Sequence, residues 1–294
     1  CCLAACTAKT EQPPGTWTTR PNEILATHYT KYGHSSTFVE LERGRILQVA
    51  NSTFTTSDDG GITWSEPFKR TDIRGRPVGG GGPSLVRLSG RGIGLACYRR
   101  DPHAVTPEEK RRSVHVVFWR SDDQGQTWQP PVRITPPSAM STSCLQDVMI
   151  RTSSGRIVMP VNVHFGQYRG PNNIEYPLDG RLVKNQWVST SAHFRDPTFL
   201  AVYVVYSDDD GRTWHRNRDD MLYILHDWST GYDKVSEPSV AEVTPGRLLM
   251  VMRTSLGRLY QAWSTDNGET WTRPAGMPLA ATETPAQIRR LPTG

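Results

Sequence analysis

One eight-residue pattern, Ser-x-Asp-x-Gly-x-Thr-Trp, occurs four times in the 294 residues, at Ser57–Trp64, Ser121–Trp128, Ser207–Trp214 and Ser264–Trp271. All five fixed positions hold in every copy. Internal repetition constrains a fold more than composition does, because each repeat must be a supersecondary unit that buries its apolar surface against the next copy. The residue types describe a turn between two strands. An Asp carboxylate can accept N–H groups from its own loop. Gly supplies a positive φ, Thr re-enters a strand, and Trp offers a large ring to bury against a neighbouring unit. Asp59, Asp123, Asp209 and Asp266 are therefore read as architecture, not as catalytic carboxylates.

The flanks repeat as well. Phe38–Leu41 and Arg45–Val49 precede the first copy; Ser84–Leu88, Gly92–Ala96 and Val114–Phe118 precede the second. Val148–Ile150, Arg156–Met159 and Val202–Tyr206 lead to the third, and Val240–Val243, Leu248–Met252 and Gly257–Trp263 to the fourth. Short apolar runs broken by Gly, in a chain with 25 Gly, 22 Pro and 9 Trp, read as strands. Each unit is strand A, turn, strand B, loop, strand C, eight-residue turn, strand D, which is a propeller blade. The turns start 64, 86 and 57 residues apart. The longest interval holds a polar and aromatic insertion, Val163 to Pro197, expected to carry no strand of its own. A further strand A is expected at Ala286–Leu291. The count is four blades and the opening of a fifth. A ring lacking blades would leave sheet edges exposed, so the sequence is expected to be a piece of a longer protein.

Strand alternation sorts loops onto two faces. If the eight-residue turns lie on one, the starts of A strands and the ends of B strands lie on the other. That face is expected to receive His34 and Asn51, then Gly79–Gly82 with Arg99, Arg100 and Asp101. Asp147, Asn162 and His164 join them, with Tyr168, Tyr176 and Trp187 from the insertion, then Glu237 and Arg253, and finally Glu283. Planar Arg forks for carboxylates, acids for proton transfer and rings that can stack on sugars make an inventory suited to carbohydrate.

The eight-residue turn resembles the Asp-box of sialidases and their relatives. The fourth blade, Ser236–Val243 through Arg247–Arg253 to Ser264, resembles bacterial and animal exo-sialidases over about forty residues. The resemblance implies an all-β, six-bladed β-propeller and an exported glycoside hydrolase that cleaves terminal sialic acid or a related acidic sugar with retention. It implies that Glu237 activates the nucleophile and that Arg253 grips the sugar carboxylate. Sialidases use a Tyr nucleophile, an exception to the two-carboxylate scheme, and an Asp as general acid. Asp101 is the expected acid; Arg99, Arg100, Asp147 and His164 are expected on the substrate. The Tyr and a third Arg are expected in blades after Gly294, so residues 1–294 alone are expected to lack turnover. The first two blades open with Gly33-His34-Ser35 and Gly81-Gly82-Pro83, where sialidases place Arg-Ile-Pro, which points to a divergent substrate. A non-catalytic Asp-box propeller that binds glycans or proteins is the alternative. The sequence holds no His-Glu-x-x-His, P-loop or Gly-x-Ser-x-Gly motif, so no cofactor or metal is expected.

At the start of the chain, Leu3-Ala4-Ala5-Cys6 resembles the lipobox of bacterial lipoproteins. It predicts acylation of Cys6, a tether through Gly15, a propeller over 16–294, and residence in the cell envelope or outside the cell. The lipid is the only membrane contact expected, since no apolar run approaches a membrane span. Net charge of +5 mildly favours acidic partners. No basic run interleaves with aromatics, so nucleic acid is not an expected partner. Cys97 and Cys144 read as two buried thiols or, in an oxidising compartment, a disulfide.

Overall fold

A computed structural model describes residues 36–103, 106, 113–135, 141–145, 147–165, 180–183, 186–189, 199–218, 221–225, 232–233, 235–254, 256–282 and 284–290, and every structural statement below concerns these. They belong to the compact unit Tyr32–Gly294. Among them the only helical turn is the 3₁₀ segment Glu42–Gly44.

Four antiparallel sheets follow one another as blades. Blade one holds β1 (Ser36–Glu40), β2 (Ile46–Ala50) and β3 (Thr53–Ser57), and a single bridge from Phe54 to Phe68 stands for its fourth strand. Blade two orders β4 (Gly81–Arg87), β5 (Ile93–Arg100), β6 (Val114–Ser121) and β7 (Val132–Arg133). In blade three the innermost strand is broken into β8 (Ser141–Ser143) and β9 (Ile150–Arg151), both paired with β10 (Ile157–Phe165). Between β10 and the next blade-three strand the chain forms a hairpin, β11 (Gly180–Val183) with β12 (Gln186–Ser189). The blade then resumes with β13 (Phe199–Ser207) and β14 (His215–Arg216). A second small pair, β15 (Ile224–Leu225) with β16 (Tyr232–Asp233), leads to blade four: β17 (Ser236–Thr244), β18 (Arg247–Arg253), β19 (Arg258–Ser264) and β20 (Ala275–Ala280).

Two expectations are corrected. The insertion does carry strands: β10 runs on to Phe165, and Gly180–Val183 pairs with Gln186–Ser189 as β11 and β12, whose apolar pairs Leu182-Val183 and Trp187-Val188 are too short a signal to stand out among polar neighbours. Of the strand A expected at Ala286–Leu291, the described residues 286–290 are not in a strand. Ile288 nevertheless donates its N–H to Ser239 Oγ at 3.1 Å. The same step links earlier innermost strands, where Leu85 N–H meets Thr37 Oγ1 and Met149 N–H meets Ser84 Oγ. The segment sits beside blade four as a next strand would, bonded to side chains instead of a ladder.

The core lies between blades. Leu47, Val49 and Phe54 meet Leu95, Trp119 and Trp128 across blades one and two. Phe118 and Val116 meet Met159, Val161 and Val205 across blades two and three. Val158, Val202 and Val204 meet Leu248, Met250 and Trp271 across blades three and four. Each inner blade is covered on both faces, so Ile157–Val161 reads as one apolar run: Ile157, Met159 and Val161 serve one neighbour and Val158 the other. The outermost strands β7 and β14 are two residues long, which blunts the open edges.

The Asp-boxes are built alike. In each, the Ser hydroxyl donates to the Asp at 2.7–2.8 Å, the Gly N–H donates to that Ser, the Thr hydroxyl donates to the second Asp oxygen, and the Trp indole donates to the Gly carbonyl at 3.1 Å. Gln124, Asp210 and Asn267 occupy one box position, all with positive φ, and each bonds the A–B turn of the preceding blade, at Glu42 N, Ser89 N and Ser154 Oγ. These boxes and the A–B turns therefore share one face. The B-strand ends and the starts of A strands lie on the other.

Candidate functional site

Register from the boxes picks out this second face. The box serines Ser57, Ser121, Ser207 and Ser264 pair with Ile46, Ile93, Ile157 and Leu248 on strand B. Five residues further along stand Asn51, Tyr98, Asn162 and Arg253. They are positional counterparts with four different chemistries. Opposite them the innermost strands begin irregularly. The ladder slips between Gly81 and Ser84 in blade two and between Ser236 and Ser239 in blade four, where Pro83 and Pro238 withdraw a donor. Positive φ marks the place in three blades: Gly82 at 55°, Asp147 at 54° and Glu237 at 48°. For Gly this is free, but a Cβ there would stand 2.2 Å from the Cys144 carbonyl. For Asp and Glu the conformation costs about 1–2 kcal/mol, and for both the surroundings hold it.

Glu237 is gripped from two blades. Its N–H donates to Asn162 Oδ1 of blade three at 2.6 Å. Its carboxylate accepts from Arg253 Nη1 of its own blade. The Arg253 side chain is 6% exposed and the Glu237 side chain 25%, so the pair is largely withdrawn from water while the carboxylate keeps an open side. Such a pair is expensive to break, because either partner alone would be an uncompensated charge. Asp147 forms a second constellation. Its Oδ1 accepts from Thr37 Oγ1 at 2.8 Å, its Oδ2 lies 2.6 Å from Arg289 Nη2, and its N–H reaches the Pro83 carbonyl at 2.9 Å.

The remaining expected residues are held differently. Arg99 stacks on Trp119, 5.3 Å from the ring centroid. Arg100 is exposed. Asp101 Oδ1 accepts the His103 N–H at 2.9 Å, closing its own turn. Blade two's counterpart of Arg253 is instead Tyr98, and a Cβ on Gly81, the counterpart of Ser236, would stand 2.1 Å from its Cζ. Tyr98, 38% exposed, and Arg289 were not singled out from sequence. Counting from each box serine would have found Tyr98; nothing local announces Arg289. His164 lies in β10 and Trp187 in β12, but their side chains fall outside the described residues, as do Cys6, His34, Tyr168, Tyr176 and Glu283 entirely.

Beneath blade two's opening lie Cys97 and Cys144, both buried and unpaired with each other. Burial pushes the Cys144 thiol up to about 12, and burial together with the nearby Cys144 pushes Cys97 well above the usual range, so neither offers a thiolate at neutral pH. The described residues contain no group of three or more His, Cys, Asp or Glu able to hold a metal, and no helix among them is long and apolar enough to cross a membrane.

The BNR repeat-like domain matches residues 102–294, and the BNR/Asp-box repeat matches residues 55–66. The chain belongs to the BNR repeat-like family. A sialidase of Bacteroides fragilis (strain YCH46) is 25% identical over 280 residues, covering 88% of this chain and 42% of its own length. Among solved structures, the BNR repeat-like chain is similar to Hadza microbial sialidase Hz136 (TM-score 0.53, 19% identity, 84% of this chain and 46% of that one). It is also similar to a protein of unknown function from Dyadobacter fermentans DSM 18053 (TM-score 0.58, 20% identity, 88% and 72%) and to the NanB sialidase of Streptococcus pneumoniae (0.52, 14%, 87% and 53%). The chain thus spans less than half the length of the curated relative, and at these identities the structures speak to fold: the blades are those of a sialidase-like β-propeller.

Proposed function

We propose that this chain carries part of the active site of a glycoside hydrolase of sialidase type, acting on terminal sialic acid or a related acidic sugar with retention of configuration. The observation that carries the reading is the Glu237–Arg253 pair, a half-open carboxylate on a nearly buried guanidinium at the strained start of an innermost strand. A carboxylate so placed can take the proton of a Tyr nucleophile, and a planar guanidinium can turn one edge to a sugar carboxylate. In this reading Asp101 is the general acid, and Arg99, Arg100, Asp147 and His164 line the substrate side. Hydrolysis of an aryl sialoside against neutral aryl glycosides by the full-length gene product tests it. Turnover is expected for the acidic sugar alone, and Arg253→Lys, which keeps charge and loses the fork, should raise KM more than it lowers kcat. Binding of sialosides without turnover by wild type would favour a non-catalytic glycan-binding propeller and end the enzymatic reading.

The lipobox-like Leu3-Ala4-Ala5-Cys6 supports acylation at Cys6 and residence in the envelope or outside the cell. Cys6→Ser in the full-length gene should move the protein from membrane to soluble fractions; unchanged fractionation would sink the assignment.

A further inference from the structure

Asn162 stands out among the site-face residues because it belongs to one blade and bonds the backbone of the next. It lies near the outer end of β10, paired with Ser143 on one side and Val202 on the other. It is 4% exposed, so its amide is spent on protein partners and not on water. Its register counterpart in blade four is Arg253. The two counterparts therefore close on Glu237 from opposite ends: Arg253 donates to the carboxylate, and Asn162 Oδ1 accepts the backbone N–H at 2.6 Å.

We infer that Asn162 is a positioning residue for Glu237. The bulge between Ser236 and Ser239 removes that stretch from the β17–β18 ladder, so the N–H of Glu237 needs an acceptor from elsewhere. Left to itself, a Glu would leave a φ of 48° for the extended region. Asn162 supplies the acceptor and holds the left-handed turn, and that turn aims the carboxylate at Arg253. The residue type follows from the chemistry. A backbone N–H requires an acceptor, which the Arg of the neighbouring blade could not provide. An Asp would accept equally well but would bury a second negative charge beside the Glu237 carboxylate.

The catalytic consequence rests on the sialidase reading; the positional one does not, and the experiment separates them. Amide hydrogen exchange is followed at Glu237 and through β10 and β17 in wild type, Asn162→Ala and Asn162→Asp, alongside aryl sialoside kinetics of the full-length gene product. In Asn162→Ala the Glu237 amide should exchange at least about tenfold faster while neighbouring ladder amides keep their protection. The same variant should lose about 10²-fold in kcat, with KM changed far less. Asn162→Asp keeps the acceptor and should restore protection at Glu237. A protected Glu237 amide in Asn162→Ala would overturn the inference, as would exchange rising uniformly through β10 and β17. Should Asn162→Ala not fold, an unprotected Glu237 amide in Asn162→Asp would overturn it equally, and a protected one would support it. A wild-type protein with no turnover but with Asn162-dependent protection of Glu237 would remove the sialidase reading and leave the positional inference standing.

Discussion

The two faces of these blades follow opposite rules. On the Asp-box face the same five residues make the same bonds four times, and Gln124, Asp210 and Asn267 reach back to the preceding blade from one position. On the opposite face the register counterparts Asn51, Tyr98, Asn162 and Arg253 share nothing but location. The difference is one of range. A box closes its hydrogen bonds within four residues, so each copy must carry the whole set. The other face is assembled across 75 residues between Asn162 and Glu237, or 142 between Asp147 and Arg289, so each blade can contribute a different part. Repetition supplies the frame, and the departures from repetition supply the chemistry.

That contrast is easiest to break at its most specific point. Glu237→Gln keeps shape and loses the base, so kcat of the full-length gene product should fall by roughly 10²–10⁴-fold, and the melting temperature should fall as well because Arg253 is left without its carboxylate. Near-normal kcat with a large loss of stability would make Glu237 a structural residue and erase the division between the faces.

A smaller effect sharpens the other side. Gly211 and Gly61 hold the same box position. A Cβ on Gly211 would lie 2.1 Å from Phe118 Cε1 of the preceding blade, whereas on Gly61 the nearest contacts are 3.7 Å to Trp64 and 3.8 Å to Ile46. Gly211→Ala should cost roughly 2–5 kcal/mol from overpacking and positive φ together, and Gly61→Ala only about 1–2 kcal/mol from φ. Denaturant unfolding of both variants measures the gap; equal costs would mean that the boxes act as isolated turns and do not join blades.

The smallest expected effect is on acid stability. Burial pushes the Asp209 carboxyl up, but the Thr213 hydroxyl and N–H and the Ser207 hydroxyl outweigh it and hold it at about 2. The Thr63 hydroxyl and N–H, with Ser57, bring Asp59 to about 2 as well. A carboxyl held below its ordinary value stabilises the fold fully above about pH 4 and loses that contribution as pH falls toward 2. Melting temperatures at pH 5 and pH 3 should differ less in Asp209→Asn than in wild type, by about 2–4 °C. An unchanged difference would show that the box anion contributes nothing.

What could be read from the chain alone follows the same boundary of range. The Asp-boxes, the A, B, C and D runs, the blade order and the placement of Glu237 and Arg253 on one face, sixteen residues apart at the two ends of one A–B hairpin, are all stated by local pattern; that the two bond each other is not. The β11–β12 hairpin escaped because four-residue strands carry too little periodicity. Arg289 escaped because its partner lies 142 residues away. In blade two the sequence pointed to Arg99–Asp101, whereas the register brings Tyr98 to the place of Arg253, a one-residue choice that alternation along a strand makes decisive.

By itself, then, the sequence determined that this protein is a series of four-stranded blades with one constellation resembling a sialidase site, because turn hydrogen bonds and strand alternation act between residues a few positions apart. Only the tertiary structure decided that Glu237 adopts a left-handed conformation, that Asn162 of another blade accepts its N–H, and that Asp147 is tied to Thr37 and Arg289. Those contacts depend on how far one blade is rotated against the next, which is set by the packing of side chains such as Phe118, Met159 and Trp271 between sheets.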